Sequence, residues 1–176
     1  MSEPDPGVSE IEQTLLASAW RRWEQAAQAL NEAEEAEDFQ SVGMRCRECF
    51  IAMVKAVSRP DIVPSGTIPP KRSDAVSWCE LIADHVAFGG SAEYVRKYLK
   101  ATSKTGWQLV NWLTHASGAT RADAILAIEL TQHILGTFGT ALFRHVQGIP
   151  DRCPGCGSYK IGLQSHLNEP QEEPVL

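Results

Sequence analysis

Gln108-Leu-Val-Asn-Trp-Leu-Thr-His-Ala-Ser-Gly-Ala-Thr-Arg121 reads as the end of one amphipathic helix, a tight turn and the start of the next. Asn111 and His115 are four residues apart, so on a helix they share a face. Trp112 and Leu113 fall on the other side, the side expected to pack. Ser117-Gly118 supplies the turn, and Thr120 is a good N-cap for the helix that follows. An Asn and a His held beside a turn make either a site or the polar lid of a helical bundle.

Working outward, helical periodicity continues on both sides. Ile11, Leu15, Ala19, Trp23, Ala26, Leu30 and Ala33 step by threes and fours from Glu10, which predicts a first helix with a Glu-rich outer face and a solvated acidic end over 32–37. Asp38 is placed as the cap of a second helix to about Ser58, with Val42, Cys46, Cys49, Phe50, Met53, Val54 and Val57 as its buried stripe. Cys46 and Cys49 have metal-pair spacing, but within an apolar stripe they read as small core residues. Arg45 and Arg47 lie off the stripe, either as a solvated face or as partners for a phosphate.

Residues 59–72 hold four prolines and a glycine and form a long crossover loop. Asp74 caps a short third helix to about Ala87, where Glu80, Asp84 and His85 come close in sequence; an exposed acidic helix end is the simpler reading than a metal site. After Gly89-Gly90, Ser91 is placed as cap of a fourth helix over 92–116. Arg96, Lys97, Lys100 and Lys104 share an arc of roughly 100° on it, and Asn111 and His115 project onto that arc. This basic stripe suits RNA or another phosphate-bearing ligand; it is also what an ordinary surface helix looks like. Tyr94, Val95, Tyr98, Leu99, Leu109 and Val110 are assigned to the packed side, with a weak point over 102–106. The fifth helix, 121–146, is apolar around most of its circumference and is expected to be central or covered by a second copy, with Gly136 and Gly139 allowing close approach. Glu129 and His133 read as an i,i+4 pair that satisfies itself.

Hydrophobic residues at 43% support a real core in one domain, and no run of about 18 apolar residues predicts a membrane span. Five cysteines scattered through a helical chain point to a reducing, cytoplasmic setting, and the acidic, proline-bearing start, 1–9, is expected to be a disordered leader unlike a signal peptide. Charge is uneven. Residues 1–40 hold ten acids against two arginines, whereas residues 41–152 hold thirteen basic against nine acidic residues. Clustered cations are what nucleic acid needs, so any such contact belongs to the middle of the chain.

The order of elements, the segment Asp38-Phe-Gln-Ser-Val-Gly-Met-Arg-Cys-Arg-Glu-Cys-Phe-Ile-Ala and the downstream Asn111-x-x-x-His115 at a helix–helix turn together resemble the HEPN superfamily, over about residues 12–147. The resemblance implies an all-α, up-and-down bundle of about five helices, typically a homodimer. It also implies a place in RNA processing, toxin–antitoxin pairing or phage defence, often as a metal-independent endoribonuclease, with an antitoxin or defence component as a possible partner protein. The usual motif arginine is replaced by Val110. On this resemblance His115 would act on the ribose hydroxyl or leaving oxygen beside Asn111, and Arg121, Lys104 or an arginine of the second helix would stand in for the missing cation. Its alternative is a non-catalytic helical dimerisation or interaction protein; a nucleotide sensor using the basic stripe ranks third.

The last part of the chain carries Cys153-Pro-Gly-Cys156-Gly, the knuckle of a zinc ribbon. Tetrahedral zinc wants four ligands; His166 is the candidate third, and a second chain could supply a fourth. The expected organisation is thus a leader over 1–9, a HEPN-like bundle over 10–148, and a partial zinc knuckle with an acidic tail over 149–176.

Overall fold

The computed structural model describes residues 15–147. They form five α-helices, α1 (Ala17–Glu32), α2 (Ala36–Val57), α3 (Ala75–Val86), α4 (Glu93–His115) and α5 (Arg121–Val146), with a 3-10 turn at Pro60–Ile62 and no strand among them. The expected leader over 1–9 and the expected knuckle and tail over 149–176 lie outside the described residues.

Four of the helices alternate in direction. Gln40 of α2 reaches the Ala116 carbonyl just beyond α4, and ten residues on Phe50 meets Trp107, so α2 and α4 run antiparallel. Trp23 of α1 donates its indole N–H to Ile128 O of α5 at 3.0 Å, and Arg121 at the start of α5 bonds Ala33 O just beyond α1 at 2.9 Å, so α1 and α5 also run antiparallel. α2 packs on α1, α4 and α5 at once and is the centre of the bundle. α3 lies along α4 as part of the crossover, as the proline-rich stretch requires: Ile62 is buried and the Trp78 indole bonds Lys71 O at 3.2 Å.

Local chemistry sets the helix ends. Asp74 accepts from Ser77 N at 3.1 Å and Thr120 caps α5, both as expected from sequence, and Asp123 completes the α5 cap reciprocally. Two ends differ. Asp38 is not the cap of α2 but sits one turn inside, where its carboxylate accepts from the Glu34 and Glu35 N–H groups, both at 3.0 Å. Those backbone bonds hold its carboxyl below the usual range, and the Thr120 hydroxyl and N–H do the same for Asp123. Both contributions to stability are present above the ordinary carboxylate pKa and disappear as pH falls through the lowered folded value. At α4, Ala92 rather than Ser91 occupies the cap position, with no side-chain bond.

α4 runs unbroken through 102–106. The Thr102 hydroxyl bonds Tyr98 O at 2.8 Å and Ser103 bonds Lys100 O at 3.1 Å, so neither competes with the helix from outside. Gly106 is there for space: a Cβ on it would collide with Ile134 of α5 and come within 3.0 Å of the Phe50 ring. The buried line of α4 is Leu99, Ser103, Gly106, Val110 and Leu113. Trp112, assigned to the packed side from sequence, is 52% exposed, and Tyr94, Val95 and Tyr98 are exposed as well. The core takes the narrow, small-residue edge of the helix because α2, α3 and α5 all approach it closely, and the large aromatics are left outside.

α5 is the one described helix long and apolar enough to span a membrane by composition, and half of its most apolar stretch is buried against the protein's own helices. Cys46, Cys49 and Cys79 are buried free thiols, the first two as their place in the apolar stripe implied. Burial raises all three; Cys46 is pushed up to about 11 and Cys79 to about 12. In a chain carrying Cys153→Ser and Cys156→Ser, no thiol is expected to react with an aromatic disulfide reagent at pH 8, and three are expected to react in denaturant. Prompt reaction of the folded chain would mean that the core opens.

Candidate functional site

The α4–α5 turn lies at one end of the bundle. His115 closes α4 and is exposed; Asn111, one turn earlier, is half-buried. Both project from the same face, as their spacing predicts. Asn111 spends its amide on its own helix, donating Nδ2–H to Trp107 O at 2.9 Å. Thr114 does the same toward Val110 O at 2.8 Å. Val110, which stands where the HEPN resemblance would place an arginine, is buried in the core.

Arg121 does not turn toward His115 in this structure. Its guanidinium donates to Ala33 O at 2.9 Å, closing the C-terminal end of α1. A second tie runs from Gln40 Nε2 to Ala116 O at 2.9 Å. Together they clamp the α1–α2 turn against the α4–α5 turn. That turn carries Glu32, Glu34, Glu35 and Glu37, all exposed, so the end of the molecule bearing His115 is rimmed with carboxylates.

The basic stripe is present on α4 and largely occupied. Arg96 donates to Ala87 O at 2.6 Å and Gly89 O at 3.1 Å, capping α3, and sits 3.7 Å from Asp84. Lys100 holds the same Asp84 at 2.7 Å, and Lys97 pairs with Glu93 one turn back at 2.6 Å, which lowers the Glu93 carboxyl. Lys104 has no ion pair among the described residues. Arg96 and Lys100 thus fasten α3 to α4, a role invisible while α3 had no place in space.

Arg47 of α2 lies over the Trp107 ring, its guanidinium carbon 5.5 Å from the centroid, and its Nε is buried without a hydrogen-bond partner. Trp107 is the residue whose carbonyl holds Asn111, so Arg47 places a cation on the α2–α4 seam one turn before Asn111. Its position off the apolar stripe was legible in sequence; its height along α4 was not. Arg45 lies elsewhere, beside Arg22, Gln25 and Glu48 in a shallow groove between α1 and α2.

Glu80, Asp84 and His85 do not form a metal group, and no cluster of three or more His, Cys, Asp or Glu side chains is present among the described residues. Asp84 is turned to α4, and His85 to Arg59 and His145. His133 is met by the Tyr98 hydroxyl rather than by Glu129. Cys153, Cys156 and His166 lie outside the described residues. No family model, no curated protein and no solved structure matches this chain.

Proposed function

We propose that this chain is a HEPN-like helical interaction module that works without RNA cleavage, as a homodimer engaging a partner protein of a bacterial stress or phage-defence system. The observation that carries this reading is the clamp at the His115 end. Arg121 is spent on Ala33, Asn111 on its own helix, and the clamp brings an acidic turn against the place where a phosphodiester would have to sit. Polyanion binding there works against like charge. The exposed Tyr94, Tyr98 and Trp112 on α4 supply the aromatic surface that protein interfaces favour.

A degenerate metal-independent endoribonuclease is the second reading, favoured by one observation: Arg47 with a partnerless Nε on the seam beside Asn111. In that case His115 would exchange the proton and Arg47 would stabilise phosphate charge. Zinc in the Cys153–Cys156 knuckle belongs to either reading.

RNA cleavage in EDTA by the full chain, beside His115→Ala and Arg47→Ala prepared identically, separates the two. The expected result is no cleavage that depends on His115, together with a dimer by light scattering. Cleavage lost by about 100-fold or more in His115→Ala, the usual scale of acid–base catalysis, would overturn the interaction reading.

A further inference from the structure

The end of the bundle opposite His115, roughly 37 Å away along α5, holds a second cluster of chemistry-bearing side chains. α2, α3 and α5 all finish there. Basic groups at helix C-termini complement the macrodipole, so one cation per helix end would need no further account. The groups here converge instead. Arg59, two residues beyond α2, brings Nη2 to 3.4 Å from Nε2 of His85 in the last turn of α3. The His85 ring meets the His145 ring of the last turn of α5, centroids 4.4 Å apart and planes tilted by 53°.

Guanidinium has donors and no acceptor, so the Arg59 contact makes His85 Nε2 the acceptor and places the His85 proton on Nδ1. His85 is therefore neutral in this arrangement. Burial, then His145 and Arg59, lower its pKa, and Asp61 alone opposes them. Asp61 is itself occupied, 3.4 Å from Arg59 Nε. The other acid at hand, Asp84, is held by Lys100 and Arg96 on α4. Arg144, the neighbour of His145, is engaged within the protein. Arg59 and His145 thus flank the His85 ring, with Asp61 the carboxylate acting on it among the described residues, and the Arg59 side chain remains 60% exposed, with donors to spare.

We propose that Arg59, His85 and His145 form a binding site for a phosphate dianion, free or as a phosphomonoester. The guanidinium offers a fork to two phosphate oxygens, and the imidazoles add N–H donors once protonated. The bound dianion supplies the negative charge that the cluster lacks, so binding carries proton uptake with it. Affinity is greatest where the dianion and a protonated imidazole coexist, because phosphate takes up its own proton in the same pH range as histidine. This proposal is independent of the interaction reading, since the site shares no residue with the His115 end.

The test is a pH titration of the His85 and His145 ring protons by NMR on the full chain. Millimolar inorganic phosphate is compared with chloride at equal ionic strength, and the titration is repeated with uridine monophosphate. The expected result is that phosphate raises the apparent pKa of His85 by about one unit, which corresponds to about tenfold tighter binding to the protonated form. Arg59→Gln is expected to abolish the phosphate-dependent shift at unchanged helicity, and Asp61→Asn to strengthen phosphate binding by removing the competing carboxylate. Tighter binding of the nucleotide than of inorganic phosphate would make the ligand a phosphomonoester; equal binding would make it free phosphate. Identical titrations in phosphate and chloride, or a shift that survives in Arg59→Gln, would overturn the proposal. So would a response of both rings to zinc chloride but not to phosphate, because the pair would then be a metal site.

Discussion

Phe50→Ala is expected to lower the free energy of unfolding by about 3–5 kcal/mol, the range for emptying a buried phenylalanine site. Phe50 is 1% exposed and sits where α2, α4 and α5 meet, edge-on to Trp107 at 5.8 Å between centroids. Its ring tip also lies against the backbone of Gly106. Collapse into the void is hindered because backbone, not a flexible side chain, forms that wall. For a bundle of this size the loss corresponds to a fall in Tm of roughly 10–15 °C. Chemical denaturation of wild type and variant measures it directly. A loss below about 1 kcal/mol, the level of an ordinary surface change, would mean that the α2–α4–α5 junction is not packed as described. Trp107 fluorescence is expected to shift to the red in the folded variant, because its edge-to-face partner is gone.

Gly106→Val is expected to cost about 1–3 kcal/mol or more through overpacking. The new Cβ would overlap Ile134 and press on Phe50, and both are confined by the core. A mid-helix glycine normally gains about 0.5–1 kcal/mol on replacement by alanine, so the sign of the effect is informative. Gly136→Ala is the matched control: it lies inside α5, where an added Cβ would meet nothing within 4 Å. That change is expected to stabilise by the propensity gain alone. Stabilisation at both positions would contradict the close approach of α5 to α4 at Gly106. Gly43 is the second close point, its would-be Cβ 3.1 Å from the Thr114 backbone N, so Gly43 sets the α2–α4 spacing as Gly106 sets that of α4 and α5.

The interaction reading and the phosphate site make different demands on this core. The first needs the His115 end clamped and the α4 aromatics outside; the second needs only that α2, α3 and α5 end together. Loss of the Arg121–Ala33 bond would loosen the former and leave the latter in place.

Where most of the helices begin and end was legible in the amino-acid sequence, the caps of α2 and α4 excepted, because the determinants are local. Asp74 and Thr120 cap the helices they precede, prolines forbid helix over most of 59–72, and apolar residues at threes and fours mark each stripe. Five helices in an all-α bundle followed from that alone. What lies outside each helix was decided in three dimensions. Periodicity says that α4 has an apolar side about half its circumference wide, but not which strip of it α2, α3 and α5 will cover. They covered the glycine–serine edge, and Trp112, Tyr94 and Tyr98 stayed in solvent. The same holds for charge. Arg121 meets Ala33 across 88 residues of chain, and Arg59 meets His85 across 26, by helix packing that no local pattern encodes. Local backbone preferences set the elements; long-range burial set which cations are consumed in holding them together and which remain to meet a ligand.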